Sequence, residues 1–322
     1  MKNFLVNSYM PDNFCREFVE IKGDSHQLGM YMALVLGLKP LMDDRIFIEK
    51  LAEFKKICKK YKIHVRESII FLRVPKAKIP KYVIGKENLS TTSGFGFPVN
   101  SAKQGMVHVF LSKNKNILKK AMWYPAIIKN RVIFPPLADQ FKYGYALGYP
   151  DCCIKYFKKY NDWEKYNYLH RAYENTKGKA SFLCNPFLKE TGYSYIYHMP
   201  CSYACKKTMK QVQKLREEIK KYEPGYVGLT DNFLKKPCLV FFERRMYCFT
   251  GKIRNGVLEY SDFQFTSLEK DRDIYGKYLE QANRLKIKNH QVILYKGRSI
   301  TKILPLLSKN KVQETPFLID FS

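Results

Sequence analysis

Tyr149-Pro150-Asp151-Cys152-Cys153 and His198-Met199-Pro200-Cys201-Ser202-Tyr203-Ala204-Cys205 hold four of the chain's nine cysteines. Both segments run from an aromatic or apolar residue through a proline to cysteine at the start of a predicted helix. Asp151 reads as an N-cap that puts Cys152 and Cys153 on the first helical positions. Ser202 reads as an N-cap that leaves Cys201 just outside the next helix and Cys205 on its first turn. Unpaired amides and the positive end of a helix dipole favour the thiolate, the form that binds metal or attacks an electrophile. Four converging thiolates suit zinc or an iron–sulfur cluster. Successive helical residues point about 100° apart, so Cys152 and Cys153 are ill placed to chelate one small ion. A larger cluster is more forgiving; alternatively only one of the two is a ligand and His198 completes the set.

The metal-ligating candidates are therefore Cys152, Cys153, His198, Cys201 and Cys205. Cys152 and Cys201 have the freer positions. Cys153 shares a stripe with Phe157, and Cys205 shares one with Met209, Val212, Leu215 and Ile219. No spacing is Cys-x-x-Cys, so a metal-free reactive thiol, a redox pair and plain packing stay open beside metal. Cys15, Cys58, Cys184, Cys238 and Cys248 read as packing residues, since free cysteine is among the most buried residue types. His26, His64, His108, His170 and His290 are scattered. Asp139 and Asp151 could serve as acids or bases near the site, although capping explains Asp151 better. No serine–histidine–acid order, dinucleotide fingerprint or metalloprotease motif is present.

The chain of 322 residues carries 57 Lys plus Arg against 29 Asp plus Glu, a formal charge of +28. That surplus attracts polyanions, with RNA the first expectation. The helix predicted for residues 203–222 is the densest basic surface attached to a cysteine motif, and Lys206, Lys207, Lys210 and Lys214 are its nucleic-acid-binding candidates. Aromatic residues near basic ones at 241–260 could stack bases, or could simply fill a sheet core. No secretory leader pattern is seen, and the longest apolar run, 30–38, is about half of what spans a bilayer. The expectation is a soluble cytoplasmic protein with reduced thiols and no membrane partner.

Several elements must position these groups. Residues 1–62 read as helical, with Phe47, Leu51, Phe54, Cys58 and Tyr61 on one stripe. Strands are expected at 69–74, 82–84 and 106–111, and Ser90 to Pro98 reads as a loop. Helices follow at 114–124 and 137–147, a polar helix-prone span at 162–177, and a short strand at 193–197. Past Pro224-Gly225, strands at 238–242, 246–250 and 257–265 form a meander closed by Asn255-Gly256. A helix at about 273–285 and a strand at 291–295 follow it. The class is α+β, divided as an N-terminal helical and mixed region (1–112), a helix-rich cysteine-motif core (113–225) and a small α+β domain with an antiparallel meander (226–322).

Gly144-Tyr145-Ala146-Leu147-Gly148-Tyr149-Pro150-Asp151-Cys152-Cys153, then Phe157, then His198 through Cys205, resembles an archaeal and bacterial family, domain-of-unknown-function family 483. The resemblance covers roughly 137–215. It implies that Cys152, Cys153, His198, Cys201 and Cys205 belong to one site, and it brings no activity. Three functions stay open. One is a cysteine-ligated metal enzyme, with an iron–sulfur cluster as one option for its centre, doing sulfur or redox chemistry on RNA or another anion. A second is a nucleic-acid-binding protein with structural zinc. The third is a metal-free thiol enzyme or switch using Cys201 and Cys205.

Overall fold

The computed structural model describes residues 9–73, 89–91, 94–98, 106–120, 126–128, 131–133, 140–160, 166–242, 245–266, 273–304, 308–309, 312–313 and 315–322. The expected strand at 82–84 and Asp139 lie outside them. The fold is α+β. Two compact units emerge, one formed by Cys15–Gly23 and Met30–Tyr149, the other by Met1–Phe14, Asp24–Gly29 and Pro150–Ser322. Among the described residues no helix is long and apolar enough to cross a membrane.

The first half of the chain contains helices α1 (Arg16–Lys22) and α2 (Leu28–Val35), strand β1 (Met42–Phe47) and helix α3 (Leu51–Lys60). Strands β2 (His64–Arg73), β3 (Leu89–Thr91), β4 (Gly94–Pro98) and β5 (Met106–Ser112) come next. They are followed by α4 (Lys115–Lys120), a small hairpin β6 (Ala126–Ile128) and β7 (Arg131–Ile133), and α5 (Gln140–Ala146). One antiparallel sheet has the order β1-β5-β2-β4-β3. The expected helical stripe beginning at Asp43 is corrected. Residues 42–47 alternate buried and less buried positions as a strand, and the helix opens only at Leu51, leaving Phe47 exposed. The same period-2 alternation puts Asp44 with Tyr31 and Lys22 on one sheet face. Asp43 goes to the other, where it accepts from His108 Nε2 at 2.9 Å. Burial raises the Asp43 pKa, but hydrogen bonds from His108 and Tyr143 outweigh it and hold the carboxyl below the usual carboxylate range. Within the expected loop at Ser90–Pro98, the described residues form the antiparallel pair β3–β4 instead, with Ser90 opposite Phe95.

The second half contributes α6 (Asp151–Tyr160), α7 (Tyr168–Glu174), α8 (Lys206–Lys220) and α9 (Pro224–Leu234). Strands β8 (Cys238–Phe242), β9 (Arg245–Arg254) and β10 (Val257–Phe265) lead to α10 (Gly276–Leu279). The chain finishes with β11 (Arg284–Lys288), β12 (Gln291–Lys296), β13 (Ser299–Leu304), the pair β14 (Ser308–Lys309) and β15 (Val312–Gln313), and β16 (Phe317–Ile319). Seven of these strands form one antiparallel sheet, β13-β12-β11-β10-β9-β8-β16, so the expected three-strand meander is the centre of a larger sheet. Asn255 and Gly256 both have positive φ, 49° and 72°, as a two-residue hairpin turn needs. Residues 193–197, expected as a strand, form none. Ser194 Oγ instead donates to Ile196 O at 2.7 Å, closing a local turn. The helix expected at 273–285 is only 276–279.

Leu239, Phe241, Tyr247 and Phe249 alternate onto one sheet face and join Leu258, Tyr260, Leu285 and Leu294 in a core. These aromatics are packed, not presented to bases. Gly251 sits where β9 meets a register shift in β10. A Cβ there would lie 2.2 Å from Glu259 O and 2.9 Å from Tyr260 Cα. Both obstacles are backbone and cannot swing away, so Gly251→Ala is expected to cost about 1–3 kcal/mol, read as a lower denaturation midpoint at unchanged slope.

Candidate metal centre

Pro150 O accepts from Cys153 N at 2.9 Å and Ile154 N at 3.0 Å, so the first turn of α6 closes on the proline carbonyl and Asp151 is the first helical residue. The N-cap expected at Asp151 therefore falls one residue earlier. Its carboxylate instead meets Lys207 Nζ at 2.6 Å, joining the starts of α6 and α8, and that ammonium holds it below the usual carboxylate range. In the second motif Cys205, not Ser202, occupies the N-cap of α8: its carbonyl accepts from Met209 N at 2.9 Å. Ser202 Oγ accepts from Ala204 N at 3.1 Å and Ser202 O from Cys205 N, making a turn ahead of the helix.

That turn is pinned from several sides. Asn175 Nδ2 donates to Cys201 O at 3.2 Å, Tyr203 N to Thr176 Oγ1 at 2.9 Å, and Ser181 N to Tyr203 O at 2.8 Å. The fully buried Tyr203 donates its hydroxyl to Leu169 O at 3.1 Å. Residues 201–205 are thus held by α7 and the segment after it, which the sequence alone did not tie to the site. Fixed backbone fixes the Cβ directions of Cys201 and Cys205, the condition for a preformed ligand set.

The sulfurs converge. Cys152 Sγ lies 3.9 Å from Cys153 Sγ and 3.7 Å from Cys205 Sγ, and Cys153 and Cys205 are 3.8 Å apart. With Cys201 Sγ, all four lie within 4.8 Å of one another, a group that could hold a metal ion. Cys152 and Cys153, read from the sequence as ill placed to chelate one small ion, nonetheless bring their sulfurs within 3.9 Å. On the first turn of a helix their Sγ atoms reach back past the N-terminus toward a common point, and rotamer choice absorbs the angular offset between Cβ directions. Cys153 and Cys205 are buried, while Cys152 and Cys201 are half-buried.

The thiols perturb one another strongly. Hydrogen bonds from Cys153 and Cys201 pull Cys205 well below an ordinary thiol despite its burial. Cys153 goes far up, through its hydrogen bonds with Cys201 and Cys205 and then burial. Burial, with the charge of Cys205, raises Cys152. Cys201 is pushed up to about 12; a hydrogen bond with Cys153 lowers it, but Cys205 and burial outweigh that.

His198 stands behind the four sulfurs. Its Nε2 lies 3.0 Å from Thr208 Oγ1, and that buried hydroxyl lies 3.5 Å from Cys153 Sγ. Thr208 is the residue sequence reasoning missed: threonine inside a helix gives no signal until its partners are known. Cys184, read as an isolated packing residue, is fully buried against Cys153 and Cys205 and points its thiol at Cys205 O, 3.7 Å away. Outer partners of metal ligands orient them, and losing one typically costs about 10–100-fold in metal affinity. Thr208→Val keeps the shape and removes the hydroxyl. It is expected to speed metal release to a chelator by that factor with little change in fold, as read by circular dichroism.

Lys206, Lys207, Lys210 and Lys214 are all exposed on α8. Lys207 is engaged by Asp151, whereas Arg216 turns inward to Asp231 and leaves the basic face. No family model, curated protein or solved structure matches the chain.

Proposed function

We propose that the protein binds one metal ion, zinc, through Cys152, Cys153, Cys201 and Cys205, and uses the basic face of α8 beside it to bind a polyanion, RNA first. The observation that carries the reading is the sulfur spacing. A tetrahedral ion with Zn–S bonds near 2.3 Å requires sulfurs about 3.8 Å apart, and the separations among Cys152, Cys153 and Cys205 are 3.7–3.9 Å. An iron–sulfur cluster spreads its thiolates over several irons, and a four-sulfur set confined within 4.8 Å supports a single ion over such a cluster. Four cysteine ligands close the coordination sphere, which favours a structural ion over a catalytic one that keeps a position open. Membership of the family with the Gly-Tyr-Pro-x-Cys-Cys motif is part of this proposal.

The ion would tie the start of α6 to the start of α8 and so set Lys206, Lys210 and Lys214 on a rigid surface. The net charge of +28 supplies the long-range attraction. The test is twofold. Protein purified without oxygen should be colourless with about one zinc per chain, and a brown protein containing iron and acid-labile sulfide overturns the zinc assignment. RNA affinity should fall linearly with the logarithm of salt. Replacing Lys206, Lys210 and Lys214 by glutamate should weaken binding and flatten that slope by roughly one per lost phosphate contact. Binding indifferent to salt overturns the polyanion reading. The half-exposure of Cys152 and Cys201 favours a second reading, a metal-free reactive thiol site. Rapid alkylation of metal-free folded protein near neutral pH is its signature.

A further inference from the structure

Cys238 and Cys248, which read in the sequence as unrelated packing residues, face each other across β8 and β9 as register partners. Phe249 N donates to Pro237 O at 2.9 Å, so the neighbouring pair 237/249 is a hydrogen-bonded one. Along an antiparallel ladder the two kinds of site alternate, which makes 238/248 a non-hydrogen-bonded pair. Such pairs bring the Cα atoms to about 4.5 Å with side chains closest, inside the window of about 4.4–6.8 Å that a disulfide spans. The two Sγ atoms lie 2.9 Å apart, and both residues are free cysteines, exposed by 0% and 1%. No backbone movement is needed to bring the sulfurs together.

We propose that Cys238 and Cys248 form a second thiol site, a cross-strand dithiol that closes reversibly to a disulfide. The oxidant is a small-molecule disulfide of the glutathione type. The thiolate of one cysteine attacks it, forming a mixed disulfide and releasing one small thiolate. The second cysteine, losing its proton to water, attacks the mixed bond at the protein sulfur and expels the other small thiolate. The protein loses two hydrogens and two electrons, and the small disulfide gains them as two thiols. Burial makes the first step wait on local opening of the strand pair, so closure is slow and, once made, protected.

The pair is placed to matter. Cys238 sits in a row with Ile319 of β16 on one side and Cys248 on the other, with Cys248 in turn opposite Gln264 of β10, so the bond would staple two interior strands beside the β16 edge. Neither cysteine belongs to the four-sulfur group, so the inference does not depend on metal being bound.

The experiment uses the full-length protein in glutathione buffers of rising oxidised fraction. It is quenched in acid, alkylated under denaturing conditions, digested and mapped by mass spectrometry. The expected product is a peptide pair linked through 238 and 248, two hydrogens lighter than its reduced form. It should persist in Cys201→Ser and be reversed by dithiothreitol. The melting temperature should rise by about 5 °C on oxidation, and this rise should be missing in Cys248→Ala. Should that variant fold poorly, Cys238→Ala serves as the same control. If both cysteines stay fully alkylated across the series while the protein remains folded, or if they link only to other cysteines, the proposal is wrong.

Discussion

Cys153→Ser is expected to strip the bound metal and cost the protein more stability than removal of either half-buried ligand. The serine oxygen is smaller, less polarizable and holds its proton near neutral pH, so it does not replace a thiolate on zinc. At the open edge of the site, in Cys201→Ser, water can take the lost position. Cys153 has no such relief. It is 2% exposed, packed against Cys184 and Cys205, with Thr208 on its remaining side. Loss of its sulfur removes one of the four proposed ligands from a place that water cannot fill, and the ion proposed to join α6 to α8 would be released. Metal analysis should fall from about one ion per chain to near zero for Cys153→Ser and to a weakly held fraction for Cys201→Ser. The melting temperature should drop by several degrees more for the first than for the second. Because binding requires thiolates, acidification should release the metal from the unmodified protein too, with protons competing for the sulfurs. If Cys153→Ser keeps a full equivalent of tightly held metal, the four-sulfur site is not the metal site.

The sequence made the convergence of the two motifs legible because two prolines, two helix starts and four cysteines in short segments form a local pattern. The inequality of the sulfurs was legible too. Cys153 and Cys205 lie on apolar stripes and are the buried pair, and Cys152 and Cys201 are the half-buried pair. What stayed hidden depends on partners remote in the chain. Thr208 and Cys184 acquire a role only when α8 and the turn at Phe182–Cys184 meet the site. Cys238 and Cys248 looked unrelated because pairing register, not composition, brings them together. The hairpin at Asn255-Gly256 announced itself. Its equivalent at Asn289-His290 also has positive φ angles, 49° and 62°, but lacks the glycine that marks such a turn in a sequence. The helical reading failed over 43–47 for a different reason: apolar residues four and three apart can arise by chance over one turn, and tertiary pairing with β5 wins there, while 48–50 do turn helically into α3.

The second large effect concerns the buried pair that seats α8, and with it the basic face, on α9. Arg216 Nε lies 2.9 Å from both carboxylate oxygens of Asp231, and its Nη2 lies 2.5 Å from Oδ2, a bidentate arrangement. The side chains are exposed by only 22% and 11%. Tyr195, itself buried, donates its hydroxyl to Asp231 Oδ1 at 2.9 Å, so the carboxylate collects donors from α8 and from the segment after Gly192. Removing one partner of such a pair strands the other. Asp231→Leu leaves a guanidinium largely out of water and a buried phenol with only Val227 O, 3.4 Å away, as acceptor, and it is expected to cost about 3–5 kcal/mol. Arg216→Met removes the charge that would be stranded but leaves the carboxylate, and it should cost a similar amount. The double replacement Arg216→Met with Asp231→Leu leaves no charge to solvate, and should recover most of the loss, because a well-packed apolar pair is often as stable as a buried ion pair. Urea denaturation of the three variants checks this, and strict additivity of the two single losses would show that the pair is not coupled. The same series separates stability from binding. Under the proposed polyanion binding, the double variant should match the unmodified protein in RNA affinity and salt slope, since Arg216 faces inward and adds nothing to the surface that Lys206, Lys210 and Lys214 present.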